Sequence, residues 1–169
     1  MKILVVVDMQ NDFIDGALGT AEAVAIVPAV IEKIKKYEDE GGLIIYTRDT
    51  HPDSYLDTRE GRYLPVKHCI AGTHGHLIPS EILRGHTTVI DKPTFGSMAL
   101  IEHLDGVDFD SIELIGLCTD ICVVSNALLV KAKFPECDVT VDSACCAGVT
   151  PDTHTAALTT MKMCQINVL

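Results

Sequence analysis

Residues 111–124 have the sequence SIELIGLCTDICVV, in which the hydrophobic periodicity changes part of the way along. The first six residues are largely apolar up to Gly116, as in a strand buried within a sheet. After a short turn the apolar residues, such as Cys122, Ala127 and Val130, recur at helical spacing. The stretch therefore predicts a strand followed by a helix, with Cys122 on the first turn of that helix.

The rest of the chain repeats this alternation of strand and helix. Continuous apolar runs such as KILVVV at residues 2–7 indicate strands buried on both faces, which is typical of a parallel sheet. We therefore predict one α/β domain over residues 1–169 with three layers, a mostly parallel sheet and helices on both of its faces. Residues 12–20 and 48–79 are predicted as loops, and the second is long enough to be functional. The predicted strands are residues 2–7, 43–47, 87–90, 111–116, 138–141 and 165–168, and the predicted helices are residues 21–40, 97–104, 121–133 and 151–163.

Composition argues against several classes of function. The 169 residues carry a formal net charge of -11, so neither a nucleic acid nor an anionic membrane surface is an expected partner. No apolar run is long enough to span a membrane, and the N-terminal MKILVVVDMQ is too short to be a signal peptide. The seven cysteines, an odd number, are interpreted as reduced thiols, so we expect a cytoplasmic protein.

The carboxyl ends of the strands are where a sheet of this kind binds its ligands. Asp8 and Lys92 end the first and third strands, and Cys122 lies just beyond the fourth. Burial is expected to raise the pKa of Asp8 towards that of a general base, and a helix N-terminus stabilises a thiolate. Asp8 would then deprotonate Cys122, Lys92 would orient both, and the backbone of residues 118–122 would hold an oxyanion. Each residue also has a simpler interpretation, as a loop cap, a surface lysine and a buried core cysteine.

A second group of polar residues follows the second strand. The spacing of Asp49 and His51 places both side chains on one side of the chain, and His68 lies in the loop that follows. Three such ligands with open positions are typical of a catalytic metal site. His74 and His76 compete with His68 for the third position, and a solvated loop histidine is the simpler interpretation of each.

Three motifs, in order along the chain, resemble a known family. DMQNDF at residues 8–13, DKPTFGSM at 91–98 and GLCTDICV at 116–123 resemble the isochorismatase-like cysteine hydrolases. Within that family, TRDTHP at residues 47–52 and the KHC around His68 look like the nicotinamidase branch. The resemblance spans nearly the whole chain, and it implies a six-stranded parallel sheet in Rossmann-like order.

The resemblance also implies roles for the residues around the predicted nucleophile. It implies a catalytic triad of Asp8, Lys92 and Cys122. It further implies a cis peptide bond between Leu117 and Cys118. The backbone N–H groups of Cys118 and Cys122 would then point at the oxyanion of the attacked carbonyl.

A metal site and a substrate pocket are implied in the same way. The metal is commonly zinc, but also iron or manganese, and it receives the pyridine nitrogen of nicotinamide. Its implied ligands are Asp49, His51 and His68. The chain has no tryptophan, which the branch often places shortly before the third ligand. The residues expected to bind the substrate are Phe13, Tyr63, Leu64 and Cys118.

The predicted function is hydrolysis of a small amide through a cysteine thioester, with nicotinamide converted to nicotinate and ammonia. One alternative is another small-amide or ureido hydrolase of the same family, and another is a non-catalytic member that only binds a small ligand. A flavodoxin-like nucleotide-binding module is a third alternative, but no G-x-G-x-x-G motif follows the first strand. The family also implies a homo-oligomer.

Overall fold

The computed structural model describes residues 1–84 and 88–169. Over these residues it contains six strands and six α-helices, together with a 3₁₀ turn and a π-helical turn. None of these helices has the length and apolar character needed to cross a membrane. The strands are β1 (Lys2–Val7), β2 (Leu43–Asp49), β3 (Thr88–Lys92), β4 (Ser111–Leu117), β5 (Asp138–Ala147) and β6 (Asn167–Val168). The α-helices are α1 (Asn11–Ile14), α2 (Ala21–Asp39), α3 (Arg59–Tyr63), α4 (Met98–Leu104), α5 (Val124–Lys133) and α6 (Pro151–Met163).

The six strands form one sheet in the order β3-β2-β1-β4-β5-β6. Every pair of neighbouring strands is parallel, which confirms the predicted six-stranded sheet and makes it parallel throughout instead of mostly so. The order reverses between β1 and β4, as in the Rossmann arrangement. Ligands of such sheets bind beyond the carboxyl ends of the strands at that reversal, which here are the ends of β1 and β4.

The helices cover both faces of the sheet, as predicted. Successive residues of β1 point to opposite faces: Ile3 and Val5 belong to one apolar core, and Leu4 and Val6 to the other. The first core is closed by residues of α4, α5 and α6. The second is closed mainly by α2, through residues such as Ile34. The domain therefore has three layers, and the continuous apolar runs of its central strands reflect burial on both faces.

The two predicted loops contain short helical pieces. Residues 12–20 begin inside α1, and residues 48–79 include the end of β2, the 3₁₀ turn Tyr55–Asp57 and α3. The N-terminus of α3 is capped by the Thr58 hydroxyl, which accepts from the N–H of Gly61 at 3.0 Å. Pieces this short are set by such local hydrogen bonds, so they leave no helical period of apolar residues to detect.

Several strand bounds differ from their predictions, and β2, β3 and β4 each continue one or two residues beyond the predicted ends at residues 47, 90 and 116. β5 continues past the predicted end at Val141, because beyond an irregularity opposite Leu114–Gly116 its residues Cys146 and Ala147 pair with β4 again. β6 begins only at Asn167, after Gln165 adopts a φ of 62°. The third strand was predicted to begin at Thr87, which lies outside the described residues, and β3 is described from Thr88 onward.

Candidate active site

The carboxyl ends of β1, β3 and β4 bring the three predicted triad residues together. Lys92 is the last residue of β3, and its Nζ lies 2.6 Å from Oδ2 of Asp8 and 3.3 Å from Sγ of Cys122. The same Nζ donates to the carbonyl of Thr94 at 3.1 Å. All three triad residues are buried. An ammonium group therefore lies between a carboxylate and a sulfur, shielded from solvent.

Close packing of β1 against β4 places these groups. A Cβ on Gly116, whose φ is 118°, would lie 2.1 Å from the carbonyl oxygen of Val7, so only glycine allows this approach just before the turn that carries Cys122. Asp8 leaves β1 with a φ of 47°, and its Oδ1 accepts from the Thr47 hydroxyl at 2.7 Å. Within the described chain, Oδ2 of Asp8 has the ionic contact with Lys92 but no hydrogen bond of proper geometry. That oxygen retains a lone pair that can accept a proton.

Burial and the neighbouring charges together set the pKa values of the triad. Burial raises the pKa of Asp8, and Lys92 only partly offsets this, as expected for a general base. Burial also raises the pKa of the Cys122 thiol well above its usual value, the Asp8 carboxylate adds to the rise, and Lys92 opposes it. The raised pKa favours the thiol, so the sulfur needs a general base, which is the role predicted for Asp8. Burial by itself lowers the pKa of Lys92, but the charges around it reverse this and keep the ammonium protonated.

The turn between β4 and α5 carries the two candidate oxyanion donors. The peptide bond between Leu117 and Cys118 is cis, as the resemblance implied. The carbonyl of Cys118 accepts from the N–H groups of Ile121 and Val123, at 3.1 and 3.0 Å, which begins the helix as a π turn. Between residues that the structure describes, the N–H of Cys118 donates to no backbone carbonyl, and the N–H of Cys122 donates to none outside its own helical turn. Their position at the start of the helix makes these two groups candidate donors to an oxyanion.

Asp49, His51 and His68 form a compact group next to the triad. One ligand atom from each lies within 4.8 Å of the others, and all three residues are buried. His51 Nε2 is 2.8 Å from Asp49 Oδ2, yet it has no hydrogen-bond partner of proper geometry among the described residues. His68 Nδ1 lies 2.8 Å from the carbonyl of Val66, and a hydrogen bond donated there leaves the Nε2 lone pair facing the group. Two imidazole nitrogens and a carboxylate that converge in this way fit a divalent metal ion.

The two competing histidines do not join this group. His76 is buried, and its Nε2 is 2.9 Å from the hydroxyl of Thr50. His74 is exposed. The group of Asp49, His51 and His68 also contacts the triad, because Lys92 Nζ is 3.3 Å from Asp49 Oδ1.

A cavity of about 260 Å³ opens above Cys122 and the metal group. Its walls are largely apolar and include the predicted residues Phe13, Leu64 and Cys118. Its polar end is formed by Asp49, Glu60, His68 and Cys122. Among the described residues, no lysine or arginine lines this cavity.

Tyr63 lies outside this cavity, unlike its neighbour Leu64. Its side chain is 79% exposed, and the Arg59 guanidinium lies 5.6 Å from its ring centroid. It lines a separate cleft beside His51 and Phe95. Consecutive residues at a helix end point in different directions, so Leu64 faces the cavity while Tyr63 faces away from it.

Glu60 is a site residue that the sequence reasoning missed. Its Oε1 lies 3.6 Å from His51 Nε2 and 3.8 Å from His68 Nε2. Burial raises the pKa of this carboxyl group. The available signal was Thr58 two residues earlier, a residue type that often caps a helix and so would have placed Glu60 on a first turn.

Comparison with known proteins finds similar sequences and structures over nearly the whole chain. A sequence model of the isochorismatase domain matches residues 2–169. The nicotinamidase/pyrazinamidase of Mycobacterium tuberculosis is 27% identical over 188 residues, which cover 100% of this chain and 98% of that protein. The crystal structure of the pyrazinamidase of Pyrococcus horikoshii in complex with zinc has a TM-score of 0.85 at 30% identity, covering 99% of this chain and 98% of that one. The N-carbamoylsarcosine amidase of Thermoplasma acidophilum has a TM-score of 0.79 at 26% identity, covering 99% and 94%.

Proposed function

The chain belongs to the isochorismatase domain family and is a hydrolase, and we propose that it hydrolyses nicotinamide to nicotinate and ammonia through a thioester on Cys122. The observation that carries this proposal is the position of Lys92 Nζ, 2.6 Å from Asp8 and 3.3 Å from Cys122. This arrangement lies at the polar end of a cavity that is apolar elsewhere. A flat, neutral amide with one polar edge matches such a cavity.

Cys122 forms the thioester with the acyl group of the substrate, and Asp8 transfers the protons. As the sulfur attacks the amide carbon, Asp8 takes the thiol proton, the C–S bond forms and the carbonyl oxygen becomes an oxyanion. The N–H groups of Cys118 and Cys122 donate to that oxygen. Asp8 then gives its proton to the amide nitrogen, the C–N bond breaks and ammonia leaves. Lys92 stays protonated, and it stabilises the carboxylate and the attacking sulfur by its charge alone.

The same carboxylate completes the reaction with water. A water molecule takes the place of ammonia, and Asp8 removes one of its protons as the oxygen attacks the thioester carbon. The same two N–H groups hold the second oxyanion. The C–S bond then breaks, the proton returns to sulfur, and the carboxylic acid product is released. The buried position of the triad limits competing reactions with bulk water.

We further propose that Asp49, His51 and His68 would hold a divalent metal ion. The converging lone pairs of this group support the assignment, and the Pyrococcus horikoshii relative was crystallised in complex with zinc. Zinc, iron and manganese all suit two imidazoles and a carboxylate, and zinc is our proposal. When bound, the ion would supply a Lewis acid for a ring nitrogen of the substrate. Asp49, His51 and His68 thereby define the end of the cavity at which the ring is oriented.

The charge of the cavity favours nicotinamide over acidic substrates. N-carbamoylsarcosine, named for the Thermoplasma acidophilum relative, carries a carboxylate at neutral pH. In this chain such a group would meet Asp49 and Glu60 at the polar end of the cavity, and apart from the proposed metal ion the described lining residues offer no lysine or arginine to pair with it. Burying an unpaired carboxylate is unfavourable. Phe13 and Phe95 instead offer apolar surface to an uncharged ring.

Ammonia release from purified enzyme tests the proposal. We expect turnover of nicotinamide, none of N-carbamoylsarcosine, and none of either by Cys122→Ala. The matched control is Cys164→Ala, because Cys164 is exposed at the end of α6, outside the cavity, and should keep full activity. Release of ammonia by Cys122→Ala at the control rate would exclude the thioester. Turnover of N-carbamoylsarcosine alone would support a ureido hydrolase instead.

A further inference from the structure

The loop between β1 and α1 carries a buried amide that the proposed reaction does not use. Gln10 is fully buried, and its side chain makes three hydrogen bonds. Oε1 accepts from the N–H of Asp49 at 2.7 Å, while Nε2 donates to the carbonyls of Asp49 and His76, both at 2.9 Å. One side chain thus engages both backbone groups of a candidate metal ligand.

These bonds extend the sheet beyond the end of β1. The backbone of Asp8 still donates to the carbonyl of Thr47 at 3.2 Å, but past that point the chain leaves the sheet. The N–H and carbonyl of Asp49 point towards the side of β2 on which β1 lies, and the Gln10 amide makes the hydrogen bonds that a longer β1 would have made. On the other side, Asp49 lies opposite Lys92 of β3, and the next residue, Thr50, donates its N–H to the Lys92 carbonyl at 2.9 Å. The chain around Asp49 is therefore held from both sides.

Asp12 makes a similar contact with the segment that carries the third ligand. Its Oδ2 accepts at 2.7 Å from the N–H of Cys69, which directly follows His68 and has a φ of 47°. Its Oδ1 accepts from the N–H of Ala17 at 3.3 Å. The carbonyl of Cys69 in turn accepts from the N–H of His51 at 3.0 Å. The Asp12 carboxylate thus holds the His68 segment against the end of β2.

We propose that Gln10 and Asp12 are positioning residues for the metal site, which they hold in its binding geometry before an ion arrives. The reason is that the three ligands come from two separate segments, the end of β2 and the loop that contains residues 68 and 69. If the two segments became ordered only when the ion binds, this ordering would cost free energy and weaken binding. A preformed site avoids that cost. The inference rests on the metal site of the proposed function.

Two nearly isosteric variants test this role separately. Gln10→Glu keeps an oxygen for the N–H of Asp49 but sets a second oxygen against two carbonyls, while Asp12→Asn removes one of two acceptors. Zinc dissociation constants are measured by competition with a chromophoric chelator, and the visible spectrum of the cobalt-loaded protein reports ligand geometry. We expect each variant to bind zinc on the order of 10–100-fold more weakly, as for other residues that support metal ligands. The cobalt spectrum should change as well.

Tyr37→Phe is the matched control. It removes a buried hydrogen bond of 2.7 Å to Glu113, near the amino ends of the strands and away from the metal group. Its zinc dissociation constant should equal that of the wild type. All measurements are made below the onset of thermal unfolding of each variant, and Asp12→Asn carries the test if Gln10→Glu does not fold.

The outcomes separate this inference from the proposed function. Weaker zinc binding by the Gln10 or Asp12 variant, with the control unchanged, supports positioning. Variants that unfold more easily but bind zinc with wild-type affinity would show a structural role alone and overturn the inference, while leaving the metal site in place. A wild-type protein that binds no zinc, cobalt, iron or manganese would overturn the metal site and the inference together.

Discussion

Replacement of Lys92 by methionine is predicted to remove about 3–5 kcal/mol from the free energy of unfolding at neutral pH, the usual cost of deleting one partner of a buried ion pair. Lys92 Nζ lies 2.6 Å from Asp8 Oδ2, with both side chains fully shielded from solvent. Coulomb's law with an effective dielectric constant of ~20 gives an attraction of about 6 kcal/mol at this separation. Removing the lysine also removes the cost of burying its ammonium, so the net loss is smaller than the attraction. Methionine has a similar length, which limits the packing defect.

The pH dependence of this loss follows from Asp8. Burial raises the pKa of Asp8 and Lys92 lowers it, so the pKa rises further in the variant. A carboxyl group with a raised pKa in the folded state contributes stability that is present below its unfolded pKa and is lost as pH rises through the folded pKa. The deficit of Lys92→Met should therefore be larger at neutral pH than in acidic solution, because acid favours the protonated Asp8, which does not need the ammonium as a partner.

Urea unfolding followed by circular dichroism measures this effect, with chelator present so that metal binding does not contribute. The control is Lys162→Met, because Lys162 is exposed on α6 and should change stability by less than about 0.5 kcal/mol. A Lys92→Met protein within about 1 kcal/mol of the wild type at both neutral and acidic pH would refute the reasoning, since a buried ion pair broken on one side costs more than that.

Three further predictions concern the turn and the metal group. Gly116→Ala should lose about 3 kcal/mol or more in urea unfolding, because its Cβ would meet the Val7 carbonyl at 2.1 Å; an unchanged midpoint would contradict this close approach. In Asn126→Ala, the Cys122 carbonyl loses the hydrogen bond of 2.8 Å that Nδ2 of Asn126 donates to it. Stability should therefore fall by about 1–3 kcal/mol, and kcat for ammonia release should fall more than KM rises. Glu60→Gln removes a negative charge beside the two histidines and should weaken zinc binding up to about 10-fold in chelator competition, whereas equal affinity would exclude Glu60 from the electrostatics of the site.

The meeting of Asp8, Lys92 and Cys122 could be predicted because parallel strands end on the same edge of a sheet. Each of the three follows or ends a strand whose apolar run is visible in the sequence. Asp49 and His51 were found for the same reason, since they lie at and just beyond the end of β2. Periodicity places residues well wherever their position depends on regular structure alone.

The rest of the site depends on distances that no local pattern contains. The helix N-terminus was visible in the sequence, but burial and the Asp8 carboxylate, which raise the pKa of the Cys122 thiol, and Lys92, which lowers it, depend on the folded structure. Glu60 reaches the histidines through a short helix without apolar periodicity. Tyr63 was assigned to the pocket by its place in the chain, and the end of that helix turns it outward.

β1 is synthesised first, yet it lies at the centre of the finished sheet, between β2 and β4. While the chain emerges from the ribosome, the edge of β1 that pairs with β4 has no partner until residues as far as Leu117 are available. Such an apolar strand edge promotes association between nascent chains, so chaperone demand should peak during this interval. Cys122, the proposed nucleophile, follows β4 by only a few residues, so we expect no activity before that edge is closed.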